Sequence, residues 1–294
     1  MRVGYIGAGV MGCGIIKNLL NADVPVSFIV HRDRSRVVEL TEKGAIEVED
    51  LKTLAQGSDV IMMTVPDSSV VESLLEGSDG IGPHLRAGQI VIDMSTSQPE
   101  STMRLAGLLE SRGIPLLDAP LTGSRPQAEA GTLNVMCGGE ASVFEEIRRL
   151  FDAIATNVFH VGPVGSGNVI KLINNCLGQV AVAATCELLP LARKYDIDLQ
   201  AMVDVISVSM GNSKAFQVLM PRVMNRDFGI LFQQKYVRKD VRYVNECCRS
   251  KDVPTPMANA LFALHEKVFA AGYGDDDFSM LAKYCEDEAG LKVE

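Results

Sequence analysis

The chain has 294 residues, about twice the ~150 of a typical domain, so one large or two medium domains with a core that needs no staples are expected. Its 47% hydrophobic and 22% charged content, without Trp, is that of a globular protein and excludes a disordered or fibrous one. Lys+Arg 28 against Asp+Glu 37, a net charge of −9, argues against nucleic acid or an anionic membrane surface as the main partner.

Through roughly residue 160, short β-branched runs alternate with amphipathic segments. Strands are predicted at 3–6, 26–30, 60–65, 90–93, 115–118, 133–137 and 158–161, and helices at 10–20, 35–43, 51–55, 69–75, 99–111 and 141–155. Such alternation with short links means a mainly parallel, doubly wound sheet covered on both faces, a Rossmann-type α/β fold. The stretch 120–132 is rich in Gly and Pro and shows no clear helix, which suits an antiparallel end to the sheet. After Gly162-Pro163 the pattern becomes helical, beginning with one long helix at 167–191. The expected domains are therefore 1–163, binding a dinucleotide, and 164–294, an all-α domain for substrate and oligomerisation.

The seven cysteines are odd in number and scattered, with neither a disulfide framework nor paired CxxC, which suits a reducing compartment. No targeting segment is recognisable. The least polar stretch, 178–192, is interrupted by Glu187 and Pro190 and is too short to cross a bilayer. A cytoplasmic protein with no membrane partner is expected.

The first strand runs into Gly7-Ala8-Gly9-Val10-Met11-Gly12, which opens a helix. A bare GxGxxG matches many chains, but between a strand and a helix at the start of a β-α-β unit it reads as a dinucleotide loop. Gly7 allows the tight turn, Gly9 lets a pyrophosphate approach the backbone, and Gly12 lets helix pack on strand. The helix start at Val10 and Met11 offers N–H groups and partial positive charge to the phosphates. After the second strand come Val30-His31-Arg32-Asp33-Arg34-Ser35-Arg36. Arg32, nearest the strand end, favours the 2′-phosphate of NADP, whereas Asp33 would suit the ribose diol of NAD. The same charges also suit a solvated helix start with Asp33 as N-cap.

Two later stretches carry chemistry: Asp118-Ala119-Pro120-Leu121-Thr122-Gly123-Ser124, and Gly165-Ser166-Gly167-Asn168-Val169-Ile170-Lys171-Leu172-Ile173-Asn174-Asn175. On a helix, Gly167, Lys171, Asn175 and Gly178 share one stripe, with Asn174 at its edge. Two helical glycines beside Lys171 suggest that something bulky approaches there; a merely wet polar face is the bland alternative. His31, His84, His160 and His265 lack metal-ligand spacing, and no metal is expected. Asp275 to Asp277 read as a cap for the last helix rather than a cation loop.

Together the Gly7–Gly12 loop, Asp118-Ala119-Pro120 with Thr122-Gly123, the GxGxxxKxxNN run at 165–175 and Lys239-Asp240 resemble the β-hydroxyacid dehydrogenase family. That family includes 3-hydroxyisobutyrate dehydrogenases and the glyoxylate/succinic semialdehyde reductases, whose look is nearest. The motifs span nearly the whole chain. The resemblance implies an NAD(P)-dependent oxidoreductase interconverting a small β- or γ-hydroxy acid and its semialdehyde, with Lys171 as general acid/base. It implies that Asn175 holds the reacting oxygen or orients the lysine, that the Thr122-Gly123 loop binds the substrate carboxylate, and that Ser124 and Asn174 also belong to the substrate site. It places His31, Arg32, Val65, Pro66, Thr96 and Lys239 at the cofactor, and it implies homodimers or homotetramers. Departures are His31 and Asp33 beside Arg32, and Thr122 with Ser124-Arg125 in the substrate loop. Selectivity is expected within 208–240, with Lys214, Phe216, Phe232, Arg238 and Asp240 as candidates. The competing reading is a catalytically silent NADP-binding interaction module. Lys171 argues against an imine reductase, and length against a full 6-phosphogluconate dehydrogenase.

Overall fold

The computed structural model describes residues 1–30 and 34–291. The chain divides into two compact units, Met1–Lys171 and Leu172–Glu294.

The first unit runs β1 (Val3–Ile6), α1 (Val10–Asn21), β2 (Val26–Ile29), α2 (Val37–Glu42), β3 (Ile46–Glu47), α3 (Leu51–Gly57), β4 (Val60–Met63), α4 (Ser68–Glu76), β5 (Ile90–Asp93) and α5 (Pro99–Glu110). It continues through β6 (Leu116–Asp118), β7 (Leu121–Thr122), α6 (Arg125–Ala130), β8 (Leu133–Gly138), α7 (Ala141–Asp152) and β9 (Ala155–Gly162) to α8 (Ser166–Lys194), within which the division falls. The strands form one sheet in the order β3-β2-β1-β4-β5-β6-β8-β7, with β9 paired to β8. From β3 to β6 every pairing is parallel, β8 meets β6 and β7 antiparallel, and β9 is parallel to β8.

Side chains alternate across the strands, and both faces are buried. Val60 and Met62 of β4 and Ile90 and Ile92 of β5 join Ile15, Ile16, Leu19 and Phe144 on one face. Ile61, Met63 and Val91 join Leu54, Val71, Leu75, Leu105 and Leu109 on the other. The helices start where their sequences provide for it. Asp50 accepts the Thr53 N–H at 2.6 Å, Asp67 accepts that of Val70 at 3.1 Å, and proline opens α5.

The second unit holds the rest of α8 with α9 (Leu199–Ser207), α10 (Lys214–Met224), α11 (Gln234–Ser250), α12 (Pro256–Val268) and α13 (Met280–Glu288), around a core that includes Cys186, Leu219, Val237 and Leu281.

Several expectations need correction. The two-residue strands β3 and β7 are too short to leave an alternating pattern. The stretch 120–132 contains α6. The helix predicted at 141–155 stops at Asp152, because Ala155 opens β9. The long helix passes through Pro190 and reaches Lys194, and it is long and apolar enough, by length and composition, to cross a membrane. The stretch 178–192 is thus only part of that helix, and length and composition alone do not place it in a membrane. Most of that apolar stretch is not buried.

Candidate active site

In an open α/β sheet, ligands bind beyond the carboxyl ends of the strands, where the strand order reverses. Here that point lies between β1 and β4, and the Gly7–Gly12 loop leaves β1 there. The three glycines have different causes. Gly7 has φ +98°, and a Cβ on it would stand 2.1 Å from the Thr64 carbonyl oxygen. A Cβ on Gly12 would stand 2.1 Å from the Gly7 carbonyl oxygen and 2.9 Å from the Tyr5 ring. A Cβ on Gly9, by contrast, meets nothing within 4 Å, so packing within the chain does not account for glycine there. Gly9 is also the N-cap of α1 and has no side chain to cap it, which leaves first-turn N–H groups for an anion. These features fit the diphosphate of a dinucleotide.

The neighbouring loops are tied together by buried polar groups. The Val65 N–H donates to Ser95 Oγ at 2.9 Å, the Ser95 N–H to Asp93 Oδ1 at 2.9 Å, and Ser97 Oγ to Asp93 Oδ2 at 2.7 Å. Asp93 thereby fixes Val65-Pro66 and the segment carrying Thr96 at adjacent strand ends. His31, Arg32 and Asp33 lie outside the described residues. Arg34 is bidentate to Glu47, at 2.8 and 3.1 Å, and so is committed to β3.

The loop expected to take substrate follows β6. Thr122 Oγ1 accepts from Asn134 Nδ2 at 2.9 Å, and Gly123 has φ +122°. Ser124 caps α6: its N–H and hydroxyl both donate to Gln127 Oε1, at 2.9 and 2.7 Å. Lys171 is half-buried on α8, and Asp118 at the end of β6 accepts N–H groups from the start of that helix. Burial pushes the Asp118 carboxyl up to about 6, against those bonds and with help from the Asp93 charge. Gly167 is explained by the sheet and not by a ligand, because its Cβ would stand 2.3 Å from the Met136 carbonyl oxygen. Gly178 faces open space.

In the second unit, Asn174 Nδ2 donates to Asn175 Oδ1 at 3.2 Å, and Asn175 Nδ2 to Asp240 Oδ2 at 2.6 Å. Lys239 Nζ is 3.0 Å from Asp240 Oδ1 and 5.0 Å from the centre of the Tyr243 ring. Asp240, expected among selectivity candidates, is buried and orients the Asn175 amide. Phe216 packs into the helical core, and Arg238 pairs with Glu266 while stacking on Phe269, so neither is presented as a selectivity contact. Asp277 does more than cap the last helix. It accepts N–H groups from Leu231 at 2.7 Å and Phe232 at 3.0 Å, and the Ser279 hydroxyl at 2.6 Å.

A glycine loop at the switch point of a largely parallel sheet, followed by a helical unit, is the arrangement of a dinucleotide-binding protein of the Rossmann type. Residues 2–162 match the family model described as the NAD binding domain of 6-phosphogluconate dehydrogenase, and 165–285 that described as NAD-binding of NADP-dependent 3-hydroxyisobutyrate dehydrogenase. The chain is 32% identical over 294 residues to 2-(hydroxymethyl)glutarate dehydrogenase of Eubacterium barkeri, covering 100% of this chain and 97% of the relative. It is 31% identical to NAD-dependent L-serine dehydrogenase of Pseudomonas aeruginosa, covering 98% and 99%. The crystal structure of 3-hydroxyisobutyrate dehydrogenase from Salmonella typhimurium is similar at a TM-score of 0.87 and 27% identity, covering 97% of this chain and 99% of that one. The chain belongs to the β-hydroxyacid dehydrogenase family and is an NAD(P)-dependent hydroxyacid dehydrogenase.

Proposed function

We propose that this enzyme interconverts a small β- or γ-hydroxy acid and its semialdehyde with NADP(H) as the favoured cofactor. The dinucleotide is held within 1–163 by Gly7, Gly9, Val10, Met11, Gly12, His31, Arg32, Val65, Pro66 and Thr96, and Lys239 contributes from 164–294. When bound, the nicotinamide supplies or accepts the hydride. The Thr122-Gly123 loop takes the substrate carboxylate, and Ser124 and Asn174 also belong to the substrate site. The Lys171 ammonium gives a proton to the carbonyl oxygen as negative charge develops there, and in reverse the neutral amine takes the hydroxyl proton. Asn175 holds the reacting oxygen or orients the lysine. The observation that carries the reading is the placement of Lys171 on a helix whose start is bonded to the strand end bearing the Thr122-Gly123 loop. NADP is favoured through Arg32, since Arg34 is occupied by Glu47. The enzyme works in the cytoplasm as a homodimer or homotetramer.

The test is absorbance of the reduced nicotinamide, with NADPH or NADH against glyoxylate, succinic semialdehyde, methylmalonate semialdehyde and tartronate semialdehyde. Turnover with NADPH is the expected result, and turnover only with NADH would transfer the selectivity to Asp33. Lys171→Ala should lower kcat by roughly 10²–10⁴-fold while NADPH still binds. Unchanged turnover in that variant would remove Lys171 from the mechanism. Binding of NADPH by the wild type with no turnover on any acid would favour the silent module.

A further inference from the structure

Helix α8 begins without a cap of its own. Gly165, the residue before the helix, accepts the Val169 N–H at 3.0 Å, has φ +93° and has no side chain to offer the first-turn N–H groups. The missing acceptor arrives from another element. Asp118 Oδ1 takes the Gly165 N–H at 2.7 Å and Oδ2 takes the Asn168 N–H at 2.8 Å. These are the two donors that a local capping box would satisfy with two side chains, at N-cap and N3. One carboxylate, 47 and 50 residues earlier in the chain, satisfies both.

The surroundings leave this arrangement little freedom. A Cβ on Gly138 would stand 2.6 Å from Asp118 Oδ1, and one on Gly167 would stand 2.9 Å from Oδ2. Both glycines therefore let β8 and the first turn of α8 close around the carboxylate, which is fully buried. Asn168, also fully buried, ties the same turn to α5 by donating from Nδ2 to Thr102 Oγ1 at 2.8 Å. Burying a carboxylate is costly, and two N–H bonds only partly offset that cost here, as the raised Asp118 pKa indicates.

Lys171 follows Asn168 by three residues, about 4.5 Å along the helix axis at 1.5 Å per residue. We infer that Asp118 is a positioning residue: by capping α8 from the end of β6, it fixes where the Lys171 ammonium stands relative to the loops that follow β1, β5 and β6. The inference rests on the reading of Lys171 as the proton donor. A displacement near 1 Å at such a group costs about 10²-fold in rate, whereas the cofactor loop after β1 has its own supports.

The experiment is a double-mutant cycle on the full-length enzyme with Asp118→Asn, Lys171→Ala and the two combined. It reads kcat with the acid of the panel that turns over fastest, the Kd of NADPH by fluorescence, and Tm. Expected are a 10- to 100-fold fall in kcat for Asp118→Asn with NADPH Kd within about twofold, and a change below about twofold when the same substitution is made in Lys171→Ala. Wild-type kcat in Asp118→Asn, or an equal loss with and without Lys171, overturns the positioning role while leaving Lys171 its own. A fully active Lys171→Ala overturns the reading of the lysine and the positioning role with it. Hydrogen exchange on the wild type holds the cap to account should Asp118→Asn not fold: the Gly165 and Asn168 amides should exchange as slowly as the third turn of α8, and exchange at the rate of a frayed helix end overturns the cap.

Discussion

His265 is a buried histidine with neither ring nitrogen hydrogen-bonded. It stands on the face of α12 that carries Leu261 and Val268, both in the helical core, and burial lowers its pKa to about 4. A base whose folded pKa lies below the unfolded value contributes stability that is complete above about 6.5 and is lost as pH falls towards 4. At pH 5 that loss is on the order of 2 kcal/mol. His265→Leu keeps an apolar side chain on the buried face and removes the titration. Urea unfolding at pH 8 and pH 5 should show a difference in stability between the two pH values that is smaller in the variant by about that amount. Equal differences in variant and wild type would show that the histidine ionises freely in the fold. At this scale the sequence was legible wherever chemistry is local: the glycine loop and the Lys171-Asn175 spacing are visible in consecutive residues. Asp118 lay within a recognised motif without a role, and Asp240 among candidates chosen by location. Each acts on a partner at least 47 residues away, and no local pattern records such a bond.

Among elements, helices α1 and α6 pack closely. A Cβ on Gly14 would stand 2.6 Å from the Ala128 carbonyl carbon, so the two backbones nearly touch. Asn18 Nδ2 donates to the Gly14 and Ala128 carbonyls, both at 2.8 Å, supplying a donor to a carbonyl at the C-terminal end of α6. Lys17, nearly buried, pairs with Glu39 of α2 at 2.7 Å and with Glu129 of α6. The helix that follows the cofactor loop thus holds the helix that follows Thr122-Gly123-Ser124. Gly14→Ala should push α6 outward, lower stability by about 1–3 kcal/mol, and raise the substrate KM more than the NADPH Kd. Urea midpoints and steady-state kinetics check both, and a KM equal to that of the wild type would mean that α6 does not support the substrate loop. Helix α6 escaped sequence reading because six residues with one buried side chain, Ala128, give no periodicity. The usable signal was Ser124 followed three residues later by Gln127, a capping box.

On the scale of the whole molecule, the prominent feature is the apolar side of α8. Ile173, Leu177, Leu188 and Leu191 are 52%, 68%, 61% and 55% exposed, and their spacing keeps them within one face of the helix. Contiguous apolar surface of this kind marks contact with another protein or a membrane. A second copy of the chain is the occupant in keeping with the proposed homo-oligomer. Sedimentation should give a dimer or tetramer, and Leu177→Glu with Leu188→Glu should shift it to a smaller species. A wild-type monomer at micromolar concentration, or flotation with lipid vesicles, would refute that assignment. The doubly wound sheet and the helical second part were legible from the alternation of patterns and its loss after residue 162. The long helix was legible as well, at 167–191 against the observed Ser166–Lys194; only its ends were missed, because Arg193 and Lys194 close the apolar pattern.

The bond between Asp118 and α8 crosses space, not sequence. What it holds constant is a separation of a few ångströms, and the number of residues between 118 and 165 is no part of it. Lengthening the chain at the exposed Glu140-Ala141, where β8 gives way to α7, alters the count from the aspartate to the lysine and leaves both ends of the bond in place. Such a site can survive insertion and deletion in the very segment that joins its parts, so divergence in length among chains of this design need not mean divergence in chemistry.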